Sequence, residues 1–207
     1  MTTKSARERI LNAALDIAGR KSWERVRLHD VAMELQMSLN EVRAHFDEKE
    51  DLTDAWFDRA DAAMLEEAGK AGFSELSPRD RLRRLIMTWL TALAAHRRVT
   101  RQMICGKFEP GHFHYQYAGL LRVSRTVQWL REAAHRDAVL PWRAIEETTL
   151  TAIYIAVFFY WMRDDSENAA RTAAFLDKSL MRAERLAQWL PGYPGVRAGH
   201  HATPGAQ

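Results

Sequence analysis

The chain has 207 residues, 47% of them hydrophobic and 28% charged, and a formal net charge of +3, which is the balance of an ordinary globular protein. A single cysteine, Cys105, excludes an intramolecular disulfide framework, and the N-terminus lacks the apolar segment of a secretory signal. The most apolar run, residues 149–162, is shorter than the roughly 20 residues that span a bilayer. We therefore expect a cytoplasmic protein.

Glycine and proline are scarce, with 10 and 6 residues, and they concentrate between the apolar-periodic segments and in the C-terminal tail. This distribution predicts an all-α protein of about nine helices. The first helix is expected over residues 5–19, where Ile10, Ala14 and Ile17 recur at helical spacing. The second helix is expected over residues 28–35.

A third, short helix is predicted to begin at Ser38 and to end near Phe46, because Glu41 follows Ser38 at the spacing of a capping box. Residues 28–52 therefore resemble a helix-turn-helix, whose second helix can enter the major groove of DNA. Residues 1–46 carry 8 basic and 6 acidic side chains, whereas residues 47–61 carry 2 and 7. The segment expected to bind DNA is therefore only mildly basic, and an acidic segment follows it. This charge distribution weighs against strong DNA binding, because contacts of basic side chains with phosphates dominate non-specific DNA affinity.

Helical periodicity in the rest of the chain predicts a larger helical domain. Helices are expected over residues 47–68, from residue 78, and over residues 117–135 and 142–162, with Asp47 as the cap of the first of these. Asp164-Asp165-Ser166 is expected to cap the last helix. That helix carries an apolar seam at heptad spacing, which predicts a homodimer interface built as a four-helix bundle. The seam consists of Ala173, Leu176, Leu180, Ala183, Ala187 and Leu190.

Five features follow one another in residues 7–57: the amphipathic run RILNAALDIA, the turn KSWERVR, the pair Val31-Ala32, the short helix 37–45 and the segment FDEKEDL. In this combination the chain resembles the TetR family of transcriptional regulators, in which the last segment reads Phe-x-x-Lys-Glu-x-Leu. The resemblance implies a three-helix DNA-binding head and a larger domain that dimerises and binds a ligand.

The same resemblance implies a DNA-binding role for seven residues. Lys4, Arg27 and Lys49 are expected to hold phosphates, and Ser38, Asn40, Arg43 and His45 are expected to face the groove. Three positions depart from the family pattern: Glu41 replaces the usual threonine, Arg43 the usual aromatic residue, and Arg27 the threonine that usually opens the preceding helix. A glutamate at position 41 is repelled by phosphate but can accept a hydrogen bond from a cytosine amine.

A second set of features lies near the C-terminus, where Tyr160-Trp161 and the Asp164-Asp165-Ser166 turn precede the helix TAAFLD, residues 172–177. This segment resembles the accessory lipid-binding proteins of ubiquinone biosynthesis, which share the TetR-like architecture but have lost its typical DNA-reading surface. The resemblance implies an alternative function, that of an isoprenoid-lipid-binding accessory protein that does not bind DNA.

The bulky apolar side chains of the larger domain have two interpretations, a packed core or the wall of a pocket for an apolar effector. The residues expected in such a pocket are Trp89, Met103, Phe108, Phe113, Tyr117, Trp129, Phe158 and Trp161. Six arginines are expected to form a solvated face, namely Arg81, Arg83, Arg84, Arg97, Arg98 and Arg101.

Catalytic chemistry is not expected, because no nucleophile–base pair or phosphate-binding loop occurs. His112 and His114 lack cysteines or carboxylates at ligand spacing, so neither a metal site nor a cofactor is expected.

The primary hypothesis is a dimeric repressor that binds a double-stranded DNA operator and is released by an apolar small molecule or lipid. The expected domains are residues 1–50 for DNA binding and residues 51–190 for ligand binding and dimerisation, followed by a disordered tail, residues 191–207.

Overall fold

The computed structural model describes residues 5–107, 113–136 and 140–189, with only the backbone described for residues 106, 107 and 113–121. Within these ranges every regular element is helical, which confirms the predicted all-α fold. No described helix is long and apolar enough to cross a membrane. In chain order the α-helices are α1 (Ala6–Arg20), α2 (Leu28–Leu35), α3 (Leu39–Arg43), α4 (Lys49–Ala68), α5 (Pro78–Leu93), α6 (Arg97–Lys107), α7 (Phe113–Ala133), α8 (Trp142–Trp161) and α9 (Ala170–Gln188).

The first three helices form a small head around an apolar centre. The Ser5 hydroxyl caps α1 by accepting a hydrogen bond from the Glu8 amide at 3.3 Å. Helix α2 covers the predicted residues and buries Val31 on the inner side of the head. Gln36, with a φ of 56°, ends α2 in the left-handed region, and the Met37 amide then donates to the Ala32 carbonyl at 2.9 Å. This turn sets the direction of α3, which is shorter at both ends than the expected 38–46.

Helix α4 joins the head to the rest of the molecule. It begins at Lys49, and the prediction that Asp47 caps it is wrong: Glu48 is the N-cap residue. The Asp51 carboxylate folds back instead and accepts from the amides of Asp47 at 2.8 Å and Glu48 at 3.0 Å. Further along α4, the buried Trp56 indole donates to the Thr100 hydroxyl in α6 at 2.9 Å. One continuous hydrophobic cluster therefore runs from α1 to α9.

Helix α6 was not predicted: the sequence indicated no separate helix between the one that begins at residue 78 and the one expected over residues 117–135. Its arginines are exposed or partly exposed, as expected, and each is also bound within the chain: Arg97 donates to the Asp164 carbonyl, Arg98 to the Gly19 carbonyl and Arg101 to the Met162 carbonyl. The three arginines of α5 that belong to the same expected face are also engaged within the chain. Arg81 donates to the Leu76 and Ala134 carbonyls, Arg83 pairs with Asp177, and Arg84 pairs with Glu67.

Two leucines of the predicted α9 seam face into the chain itself, and Leu190 of that seam lies outside the described residues. Leu176 is 0% exposed and Leu180 5% exposed, as part of the core that α5 and α8 share with α9. The N-cap residue of α9 is Ala169 and not a member of the expected 164–166 turn, but the Asp164 carboxylate binds the first turn of α9, accepting from the amide and the hydroxyl of Thr172 at 2.8 and 2.6 Å. Burial alone raises the pKa of Asp164, but the hydrogen bonds from Ser166 and Thr172 outweigh it and hold that pKa well below its usual range.

Candidate nucleic-acid interface

The first turn of α3 is built around a reciprocal capping box. The Glu41 amide donates to the Ser38 hydroxyl at 3.2 Å, and the Glu41 carboxylate accepts from the Ser38 amide at 2.7 Å and from its hydroxyl at 2.8 Å. The Ser38 hydroxyl, predicted to face the groove, is therefore occupied by the cap. The hydrogen bonds from the Ser38 amide and hydroxyl lower the pKa of Glu41, so its carboxylate is ionised at neutral pH.

This geometry changes the expected effect of Glu41 on DNA binding. A glutamate held against the N-terminal amides of its own helix does not extend from the helix towards a partner. Its charge instead complements the positive end of the helix dipole. The departure from the family pattern at this position thus has a local structural explanation.

Three exposed side chains project from α3 next to the cap. With about 100° of rotation per residue in an α-helix, residues 39, 40 and 43 lie within one arc of about 100°. Leu39, Asn40 and Arg43 are all exposed, whereas Val42, on another side of the helix, is 1% exposed. Neither Asn40 nor Arg43 uses its side chain in a hydrogen bond to another described residue. This face of α3 therefore has one amide, one cation and one apolar group available for a partner.

His45 lies beyond the last residue of α3. Its side chain is exposed, and its backbone carbonyl accepts a hydrogen bond from the Arg7 guanidinium at 2.9 Å. The same guanidinium lies 4.5 Å from the centre of the Phe46 ring, so a side chain of α1 holds the segment that follows α3. A surface pocket of about 320 Å³ is present here, lined by Arg7, Arg43, Ala44, His45, Phe46, Asp47, Asp51 and Asp54.

Two of the predicted phosphate-holding residues converge although 22 positions separate them. Arg27 and Lys49 both donate to the Glu24 carbonyl, at 3.3 and 3.2 Å. The Lys49 ammonium also lies 5.1 Å from the Trp23 ring centre. Partial burial, and then the charge of Arg27, lower the pKa of Lys49. The arrangement concentrates two positive charges beside the N-terminus of α4, which is where a helix favours an anion. Lys4, the third predicted phosphate contact, lies outside the described residues.

Helix α6 connects this head to the far end of the molecule. Gln102 accepts from the Trp23 amide at 2.8 Å, and Arg98 of α6 donates to the last turn of α1. From the same helix, Arg101 and Arg97 bind the carbonyls of Met162 and Asp164, directly after α8. Through these contacts α6 bridges the head and the segment that follows α8.

The interior of the larger domain contains some of the predicted pocket residues. The Trp89 ring centre lies 5.5 Å from that of Phe158, which lies 6.0 Å from that of Trp161, and all three side chains are buried. Met103 is buried in α6. Trp129 is 48% exposed, so its side chain is not part of the buried aromatic group. Phe108 lies outside the described residues, and the side chains of Phe113 and Tyr117 are not described.

A buried polar cluster, which sequence reasoning missed, joins this aromatic group. The Asp61 carboxylate of α4 accepts from the Trp89 indole at 2.7 Å, the Thr126 hydroxyl at 3.1 Å and the Arg122 guanidinium at 2.9 Å. Burial raises the pKa of Asp61, although Arg122, Trp89 and Thr126 act in the opposite direction. Burial, and then the charge of Asp61, raise the pKa of Tyr154 well above its usual value. No short-range sequence pattern indicates a contact between side chains that lie 61 and 65 residues apart.

The outer surface of α8 and α9 carries large apolar side chains. Ile145 is 43% exposed, Tyr160 40%, Leu186 70% and Trp189 84%. Tyr160 stacks on Phe175 at 4.8 Å between ring centres. A surface groove of about 380 Å³ is lined by Ala156, Phe159, Tyr160, Arg163, Asp164 and Arg171. Of the predicted dimer residues, Ala173, Ala183 and Ala187 are partly exposed, whereas the chain itself covers Leu176 and Leu180.

Comparison with known proteins identifies close structural likenesses. A TetR transcriptional regulator from Nitrosomonas europaea ATCC 19718 shares 51% identity with this chain over 86% of it and 98% of that regulator, with a TM-score of 0.78. A TetR transcriptional regulator from Rhodococcus sp. RHA1 is 20% identical over 86% of this chain and 94% of that one, with a TM-score of 0.64, which supports the fold alone.

A second comparison concerns the C-terminal helices. The COQ9 family model matches residues 147–187, from within α8 to within α9. The match contains the segment in which the sequence resembles the lipid-binding accessory proteins of ubiquinone biosynthesis. No curated protein matches the chain.

Proposed function

The chain belongs to the TetR family of transcriptional regulators, and we propose that it is a dimeric DNA-binding repressor released by an apolar effector. The observation that carries the proposal is the free face of α3. This face offers Asn40 and Arg43 to a groove, and Glu41 is held back in the cap. In a helix-turn-helix, such N-terminal side chains of the second helix contact base edges.

The phosphate contacts support the same docking geometry. Arg27 and Lys49 lie at the N-termini of α2 and α4, and both donate to the Glu24 carbonyl. Phosphate contacts fix the register of a protein on the duplex, and base contacts then give specificity. In the proposed domain division, residues 1–50 bind DNA and residues 51–190 bind the effector and the second copy, with α4 crossing the boundary.

Dimerisation is proposed through the outer faces of α8 and α9. Exposed Ile145, Leu186 and Trp189 give these helices an apolar surface of the kind that marks an association site. The small side chains of Ala173, Ala183 and Ala187 allow a partner helix to approach closely. A two-fold axis through this surface pairs two heads for successive major grooves of a pseudo-palindromic site.

The effector is proposed to act on the aromatic interior around Trp89, Phe158 and Trp161. A molecule that binds one arrangement of α4, α7 and α8 more tightly shifts the equilibrium towards that arrangement. The contacts of α6 with both the head and the end of α8 then carry the displacement to the recognition helices. DNA release follows from this differential affinity.

A selection experiment tests the proposal directly. Purified full-length protein is used to enrich duplexes from a random-sequence pool, and the enriched duplex is titrated by fluorescence anisotropy at low and moderate salt. We expect a two-fold symmetric site that the protein prefers strongly over a scrambled duplex. If no sequence is enriched and both duplexes bind equally, the protein is not a sequence-specific regulator.

A second candidate function is supported by the COQ9 match at residues 147–187. In this alternative the chain binds an isoprenoid lipid and delivers it to a partner protein, without reading DNA. Solvent extraction of the purified protein, followed by mass spectrometry, distinguishes the two functions. A co-purified isoprenoid quinone together with no DNA preference favours the lipid role, and the opposite pair of results favours the regulator.

A further inference from the structure

Leu39, the first residue of the recognition helix, is exposed without an evident structural reason. Its side chain is 51% exposed. The neighbouring apolar residues Leu28, Leu35 and Met37 pack against the core as partly buried groups, but Leu39 does not. It therefore contributes little to the stability of the head, and it lies exposed in the first turn of α3.

The polar side chains near Leu39 differ in whether they are available to a partner. The hydroxyl of Ser38 and the carboxylate of Glu41 satisfy each other within the capping box. Asn40 and Arg43 share the exposed arc of α3 with Leu39, which lies at one end of that arc, next to Arg43. The exposed face of α3 thus presents one apolar group beside a cation and an amide that can form hydrogen bonds.

The major groove contains one apolar group with which such a side chain can make a base-specific contact, the 5-methyl group of thymine. We infer that Leu39 is a specificity-determining residue that recognises a thymine methyl group in each half of the binding site. This inference rests on the proposed DNA-binding function and assigns the first turn of α3 a preference for thymine over cytosine. It adds a contact that was not among the predicted DNA-binding residues.

The experiment removes the methyl group from the DNA instead of only changing the protein. Each thymine of the duplex enriched by selection is replaced in turn by deoxyuridine, which keeps the Watson–Crick pair and removes only the methyl group. For the wild-type protein we expect one sensitive thymine per half-site, with roughly a fourfold loss of affinity, the value of one buried CH₂ group. Replacement in both half-sites is expected to give roughly a fifteenfold loss.

The protein variant then identifies the side chain responsible. Leu39→Ala is expected to bind the thymine duplex several-fold more weakly and to bind the thymine and deoxyuridine duplexes equally. Met33→Ala is the matched control, because Met33 is 67% exposed on α2 and outside the recognition helix. It is expected to keep the wild-type sensitivity. Circular dichroism melting of both variants establishes that each remains folded.

The outcomes separate this inference from the proposed function. Specific binding with no deoxyuridine-sensitive thymine, or unchanged sensitivity in Leu39→Ala, overturns the role of Leu39 and leaves the regulator proposal intact. Failure of the wild-type protein to select any duplex overturns both. Loss of sensitivity in Met33→Ala as well as in Leu39→Ala shows that the head as a whole, and not Leu39, determines the preference.

Discussion

The buried pair of Asp61 and Arg122 allows a quantitative test of how α4 is held in the larger domain. Both side chains are 11% exposed, and Asp61 also accepts from Trp89 and Thr126. Arg122→Met leaves a buried carboxylate without its cation, and breaking such a pair costs about 3–5 kcal/mol. We expect a value at the low end, about 3 kcal/mol, because the two neutral hydrogen bonds to Asp61 remain.

The double variant isolates the electrostatic contribution. Asp61→Asn combined with Arg122→Met removes both charges and retains an amide oxygen that can accept from Trp89. We expect it to be substantially more stable than Arg122→Met alone, because no buried charge remains uncompensated. Urea denaturation followed by tryptophan fluorescence, at one fixed protein concentration, measures both free energies of unfolding.

The pH dependence of stability tests whether the cost of Arg122→Met comes from the charge on Asp61. Burial raises the pKa of Asp61 in the folded protein, and loss of Arg122 raises it further. A carboxyl whose folded pKa is raised destabilises the protein above that pKa, and this cost fades as pH falls towards the unfolded pKa of about 3.9. The difference in stability between Arg122→Met and wild type must therefore shrink from pH 7.5 to pH 5. A cost below about 1 kcal/mol, far under that of a broken buried pair, or a double variant as unstable as the single one, refutes this account.

Three further results are expected. Arg27→Met and Lys49→Met should each reduce the slope of log affinity against log salt by about 0.9 per lost phosphate contact. The control variant Arg125→Met on α7 should leave the slope unchanged. Equal slopes in all three variants contradict the proposed phosphate contacts. Ser38→Ala should cost about 1 kcal/mol of stability in thermal melts, the usual value of an N-cap, and an unchanged melting temperature means that the cap contributes nothing. Wild-type stability should decline as pH falls below about 4, since the folded pKa of Asp164 lies below its unfolded value; Asp164→Asn should decline less, and a parallel decline assigns the acid sensitivity to other groups.

Local patterns in the sequence predicted the head well. The apolar spacing of α1, the bounds of α2 and the capping box of α3 depend on residues at most a few positions apart, so their chemistry is visible in the sequence. Ser38 and Glu41 illustrate both the success and its limit. The sequence predicted the capping box, but only the structure shows that the cap keeps the Glu41 carboxylate at the helix end.

Contacts between distant segments could not be predicted in the same way. The sequence identified Arg27 and Lys49 separately, but not the Glu24 carbonyl that both of them share. The apolar period of α9 correctly marked a face that becomes buried, yet periodicity does not identify the covering partner. Leu176 and Leu180 are covered by the chain's own helices, and the outward apolar groups lie elsewhere on α8 and α9.

Helix α6 was missed for a related reason. Its sequence, RRVTRQMICGK, is short and mainly polar, so its apolar side consists of only a few residues, among them the buried Val99 and Met103. Its helical state depends on tertiary contacts, in which arginines bind carbonyl groups of α1 and of the segment after α8. The helix that links the head to the larger domain is therefore the one whose role is least visible in the sequence.

The most direct test of the central claim is the ratio of affinities for the selected and scrambled duplexes, measured for wild type and Arg43→Ala at the same salt concentration. The account predicts a ratio of at least about 10³ for wild type, as for specific DNA-binding proteins. Loss of the Arg43 base contact should lower that ratio by about tenfold or more. Equal binding of both duplexes by the wild-type protein, or an unchanged ratio in Arg43→Ala, contradicts the claim that the exposed face of α3 reads DNA.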